Sequence, residues 1–238
     1  MTSESRRQHS TRRTFLQWVG LGLLSLPADS LLADRAMAAK LKPASALTMP
    51  RIMLIRHAEK PGTDGSEPLG IAATGQPDPE SLTVNGWQRA GALAQLFSQA
   101  AILRESQYSA LAQPAQLFAS AVGKGSPSQR PAETLTPLAN RLGLTIKTPY
   151  AKTQTDLLGQ MLGSAARQGG SQGAVLVAWE HTLIPDLARA ITGQAELIPA
   201  EWPAHRFDLI WVLEWHVDSH RFTLTQVDQR LLTGDAGL

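Results

Sequence analysis

Two histidines in this 238-residue chain stand where an imidazole can attack or hold a phosphoryl group. His57 follows Arg56 at the end of the apolar run Ile52 to Ile55, and His181 follows Glu180 at the end of the run Ala174 to Trp179. A neutral ring nitrogen is a nucleophile toward phosphorus, and a guanidinium fork clamps two of its oxygens. Arg130 supplies a second fork. Pro131 directly after it suits the first turn of a helix, so Arg130 is placed at a helix amino terminus, where backbone N–H groups favour anions. The chain has no cysteine and no aspartate cluster, and its one His-x-x-x-His, His216 to His220, borders the expected hairpin turn and reads as solvated, so neither zinc nor magnesium is expected and no cofactor is called for.

The elements that must carry these residues can be read from periodicity. Continuous apolar runs of strand length point to a parallel sheet buried on both faces. Strands are expected over 51–56, 116–121, 144–148 and 174–179, alternating with helices from Thr83 as N-cap to about 98, then over 129–142, 154–167 and 183–192. Pro137 should kink or shorten the second of these helices. Phe207 to Trp215 and Arg221 to Val227 flank a polar turn and read as a hairpin, which makes one strand antiparallel. The fold class is therefore α/β, a three-layer αβα sandwich with a mainly parallel central sheet. In such sheets ligands bind beyond the carboxyl ends of the strands, where both histidines fall.

Four segments in order resemble the histidine phosphatase superfamily, the phosphoglycerate mutase-like proteins. Arg56-His57-Ala58-Glu59 is similar to its signature, Leu82-Thr83-Val84-Asn85-Gly86-Trp87-Gln88-Arg89-Ala90 to its "LTxxGxxRA" helix, Ser120 with Arg130 and Glu133-Thr134 to its second motif, and Glu180-His181 to its third. The resemblance implies a phosphoglycerate mutase-like fold and a metal-independent phosphomonoester hydrolase. His57 would become a phosphohistidine, Arg56 and Arg130 would hold the equatorial oxygens, and His181 would add a donor. A carboxylic acid must protonate the leaving oxygen. Glu180 is the first candidate, Glu59 the second, and Asp64 in the following loop the third; an ion pair with an arginine is the other reading of Glu180. Trp179 could desolvate Glu180 and raise its pKa. A mutase that passes the phosphoryl group to a second acceptor is the alternative, as is a catalytically silent phosphate-binding module.

The amino terminus bears on location. Arg12-Arg13, the apolar stretch Trp18 to Leu26 and the small residues Ala36-Met37-Ala38 look like a twin-arginine export signal. Residues 1–38 are read as that signal, 39–50 as a linker, 51–232 as the histidine phosphatase domain and 233–238 as a C-terminal tail. The expected location is the bacterial periplasm or the exterior, with the Tat translocase a partner during export and no stable membrane anchor. Of 22 Lys+Arg and 20 Asp+Glu, the first 38 residues hold five arginines and three acids, leaving 17 of each sign. A neutral domain offers no general field for nucleic acid, so the expected partner is a small phosphorylated substrate. The acids Asp64, Glu67, Asp78 and Glu80 of the 60–81 loop favour a singly phosphorylated monoester; that loop reads either as a lid or as a disordered insertion. Of the remaining histidines, His205 is read as structural, and Arg206 as the partner of Asp208.

Overall fold

Six strands pair in the order β3-β2-β4-β1-β5-β6 in the computed structural model, which describes residues 51–62, 67–169 and 173–236. The expected signal and linker, and Asp64, lie outside the described residues. The strands are β1 (Arg51–Arg56), β2 (Pro114–Ala119), β3 (Ile146–Lys147), β4 (Ala174–Trp179), β5 (Leu209–His216) and β6 (Arg221–Asp228). β2, β3, β4 and β1 run parallel; β5 is antiparallel to both β1 and β6. The single reversed strand follows from the hairpin, whose tight turn can only join antiparallel neighbours.

Alternation along the strands divides the core between the two faces of the sheet. Ile52, Leu54, Val175, Val177 and Trp179 pack with α4 (Thr155–Arg167) and α5 (Ile184–Thr192). Met53, Ile55, Leu176 and Ala178 pack on the opposite face with α1 (Val84–Ser98) and α3 (Arg130–Leu142). A short helix, α2 (Ala100–Leu103), follows α1. The result is the expected three-layer αβα sandwich. With both faces covered, a parallel strand has no solvent side to keep polar, which is why these runs read as continuously apolar.

Three details differ from the sequence expectation. β2 starts at Pro114, two residues early, because a strand's first residue need not donate to the ladder; Ser120 is thereby left beyond the strand end. β3 is only two residues long. Helix α3 is not cut short at Pro137: it continues to Leu142, and the buried Leu135, Leu138 and Ala139 hold it to the sheet across the missing backbone bond.

Candidate active site

β1 and β4 are neighbours in register, with Arg56 opposite Trp179, so His57 and the Glu180-His181 pair leave the same sheet edge side by side. β2 flanks β4 and delivers Ser120 to that edge. The segment after β1 is fixed from several directions. His57 N donates to Trp179 O at 3.0 Å and Ala58 N donates to Thr134 Oγ1 at 2.9 Å, while Glu59 O accepts from Thr83 N at 3.0 Å. Thr83 caps α1, its Oγ1 accepting from Gly86 N at 3.1 Å. Gly86 lets the helix approach this closely, since a Cβ there would lie 2.5 Å from Glu59 O.

His57 is 5% exposed. Its Nδ1 lies 2.8 Å from Ala58 O, and a carbonyl oxygen can only accept, so Nδ1 carries the proton. Burial pushes the ring's pKa down to about 3, and the charges of Arg56, Arg130 and His181 push the same way against that one hydrogen bond. The ring is therefore neutral at physiological pH, with the Nε2 lone pair free. It faces a cavity of about 310 Å³ shared with Ser126, Ser128, Arg130, Glu180 and His181.

The walls of this cavity carry buried polar atoms with no partner among the described residues: Ser126 Oγ, Ser128 Oγ, Arg130 Nε and His181 Nδ1. A buried polar group left unsatisfied costs on the order of 1–3 kcal/mol. Four such atoms around one neutral histidine form a receptor for something rich in acceptor oxygens. Arg130 is the first residue of α3, as expected. Its Nη1 donates to Pro79 O at 2.7 Å and its Nη2 lies 3.4 Å from Glu80 Oε2, which leaves Nε uncommitted. His181 opens a single 3₁₀ turn, Leu183 N bonding back to Glu180 O. Burial lowers its pKa too, helped by Arg56 and Lys60 and opposed by Glu180.

Arg56 sits behind the site rather than on its wall. The segment leading to β5 folds over it: the Phe207 ring lies 3.7 Å beneath its guanidinium, and Nη1 donates to Ala204 O. Burial lowers its pKa to about 10, with Glu59 and Glu180 opposing. Arg56 does not line the cavity, but its Nε, like that of Arg130, is buried without a partner among the described residues, and its charge depresses the proton affinity of both histidines.

The two first-ranked acids are also committed elsewhere. Glu59 turns away from His57 and takes Arg89, with Nε to Oε1 at 2.9 Å, and lines a separate cavity with Arg89, His205, Phe207 and Asp235. Glu180 does line the His57 cavity, but Lys152 Nζ stands 2.7 Å from its Oε2 and Thr182 Oγ1 donates to Oε1 at 3.1 Å. Burial alone would raise its pKa; these partners outweigh burial and lower it, so Glu180 rests ionised. The ion pair foreseen for it is with a lysine, not an arginine. Trp179 does the reverse of the expected desolvation, because its Nε1 donates to Lys152 O at 3.0 Å and so holds in place the residue that ionises Glu180.

Sequence reasoning passed over Ser126, Ser128, Lys152 and Glu80 as members of the site. The Gly/Ser composition of the loop before α3 was the available signal for the serines. Two further expectations change. Residues 67–81 are not a loose insertion: Gln129 N donates to Glu80 O at 3.1 Å, and the buried Glu133 accepts from Ser81 Oγ at 2.7 Å and Leu82 N at 2.9 Å. Residues 233–236 are likewise stitched into the domain, since Asp235 pairs with Arg89 Nη2 at 2.7 Å and Ala236 N donates to Asp208 Oδ2 at 2.7 Å. Arg206 pairs with Asp208 at 2.6 Å as expected.

No family model and no curated protein matches the chain. Among solved structures it is similar to SixA from Agrobacterium tumefaciens, described as a phosphohistidine phosphatase (19% identity, 75% of this chain and 96% of that one, TM-score 0.41). It is also similar to the mycobacterial glucosyl-3-phosphoglycerate phosphatase Rv2419c in complex with inorganic phosphate (17% identity, 75% and 97%, TM-score 0.40). A third similar structure comes from Escherichia coli and is described as an alpha-ribazole-5'-P phosphatase (13% identity, 77% and 98%, TM-score 0.47).

Proposed function

We propose that this chain is a metal-independent phosphomonoester hydrolase of the histidine phosphatase superfamily, acting through a phosphohistidine on His57. The observation that carries the reading is a neutral histidine, its Nδ1 proton committed to Ala58 O, facing a cavity walled by buried polar atoms that have no partner among the described residues. In the first step His57 Nε2 attacks phosphorus and the ester P–O bond breaks; in the second, water attacks the phosphohistidine and the P–N bond breaks. Arg130 Nε–H, the hydroxyls of Ser126 and Ser128, and His181 receive the phosphoryl oxygens as charge redistributes among them. Fixed cations can do here what a metal does elsewhere, because phosphoryl transfer asks chiefly for positioning and charge stabilisation. Among the described residues no group of three or more His, Cys, Asp or Glu side chains converges to hold a metal ion.

The test is hydrolysis of p-nitrophenyl phosphate by the full chain, with and without EDTA, beside His57→Ala. Turnover indifferent to EDTA and abolished by the substitution supports the enzyme. Vanadate binding without turnover of any monoester would instead make it a phosphate-binding module, and phosphoryl transfer between phosphoglycerates would make it a mutase. The carboxylates of Glu80 and Glu180 on the cavity wall favour a substrate with a single phosphate, which is checked by comparing monoesters with inositol polyphosphates. The twin arginines Arg12-Arg13 and the apolar stretch after them support action in the periplasm or outside the cell. Fractionation of the producing cells, with Arg12→Lys/Arg13→Lys expected to retain the protein in the cytoplasm, tests that placement.

A further inference from the structure

Among the described residues, the departing oxygen still needs a proton source, since Glu59 and Glu180 are both held by cations. Of the carboxylates on the described residues, only Glu180 and Glu80 line the His57 cavity. Glu80 is built into a fixed position. Its own N–H donates to Asp78 Oδ1 at 2.9 Å and its carbonyl accepts from Gln129 N at 3.1 Å, one residue before Arg130. Asp78 is anchored in turn by Ser81 Oγ at 2.9 Å and by Gln129 Nε2 at 3.1 Å. The Glu80 side chain is held far more loosely than its backbone. Among the described residues its one cation is Arg130 Nη2 at 3.4 Å, against the 2.7 Å ammonium contact that ties Glu180.

We propose that Glu80 is the proton donor to the leaving oxygen and the base for the water that follows. The step rests on the His57 reading above. The substrate enters as the monoester monoanion, its oxygens taken by Arg130 Nε, and hands its acidic proton to the Glu80 carboxylate. As the Nε2–P bond forms and the ester P–O bond breaks, the Glu80 carboxyl proton passes to the ester oxygen, which departs as the alcohol. The Glu80 carboxylate then takes a proton from the water that attacks phosphorus. The P–N bond breaks, phosphate leaves with that proton as its monoanion, and His57 and the Glu80 carboxylate return to their starting states.

The readout is the dependence on leaving group. Glycerol 2-phosphate expels an alkoxide that needs a proton, whereas p-nitrophenyl phosphate expels a phenolate that does not. In the full chain, Glu80→Gln is expected to lower kcat/KM for glycerol 2-phosphate by about 10²–10⁴-fold, the usual contribution of a positioned general acid, and for p-nitrophenyl phosphate at least about tenfold less than that. Glu180→Gln is expected to change both substrates alike. A Glu80→Gln loss that differs by less than about tenfold between the substrates overturns the assignment, as does a selective loss in Glu180→Gln. Hydrolysis that survives His57→Ala would bring down the underlying reading instead, so the two failures are distinguishable. The p-nitrophenyl phosphate rate also reports that the variant is folded.

Discussion

Acidification should destabilise the natural chain more than a His57→Gln variant, by about 2 kcal/mol between pH 8 and pH 5. The folded ring takes a proton only near pH 3, whereas the same ring in the unfolded chain titrates at 6.5. A depressed histidine pKa means that below pH 6.5 the unfolded chain binds a proton the folded one refuses. The stability in question is thus intact above about pH 7 and drains away as the pH falls through 6.5 toward 3. At pH 5 about 1.5 units of that gap have been crossed, and each unit is worth 1.36 kcal/mol, which gives the magnitude. Glutamine fills much of the same volume and can donate its amide N–H to Ala58 O, but it does not titrate. Urea unfolding of both proteins at the two pH values measures the difference of differences, in which titrations common to both cancel. Equal pH dependence would refute the reasoning, because the folded ring would then take up protons as readily as a solvated one. The free Nε2 lone pair on which the proposed chemistry stands would lose its physical basis.

Three further outcomes are expected. Gly86→Ala should cost about 1–3 kcal/mol in urea unfolding, because the new Cβ would lie 2.5 Å from Glu59 O, and turnover should fall with it as the strand exit carrying His57 is pushed. Arg89→Met strands the carboxylates of Glu59 and Asp235 without their shared cation, and a loss of about 3–5 kcal/mol is expected at neutral pH, measured the same way. Lys152→Met should raise the pKa of Glu180 by removing its ammonium partner, which carbon-13 detected titration of the glutamate carboxyls would register; an unmoved Glu180 would show that the ion pair does not form in solution.

Legibility differed sharply between backbone and side chains. The convergence of His57 and His181 on one sheet edge could be read from sequence because both follow continuous apolar runs, and such runs in alternation with helices admit few topologies. Arg130 at the start of α3 was legible for a local reason, the proline beside it. The partners of Arg56, Glu59 and Glu180 were not legible. Each is chosen by a segment remote in sequence: Phe207 under Arg56, Arg89 on Glu59, Lys152 on Glu180. Glu59 is only two residues past His57, but residues so spaced share a side only on extended backbone, and here the start of α1 docks directly on the Glu59 carbonyl. Glu80, which lines the cavity, sits in a segment whose composition reads as unstructured, and the order of that segment comes from Gln129 and Glu133, at and in the first turn of a helix about fifty residues later.

The pairing of Arg56 with Trp179 gives the hydrophobic interior a hold on chemistry it never touches. Sliding β1 past β4 by a single rung would exchange the residues that fill the two halves of the interior, and it would also rotate the two imidazoles out of phase. Greasy contacts several residues distant therefore act as a vernier for the reacting atoms. Conservative swaps at Leu54 or Val177 that keep the rung alignment should be tolerated smoothly, whereas a one-residue insertion in either strand should silence the protein outright even where a folded chain survives.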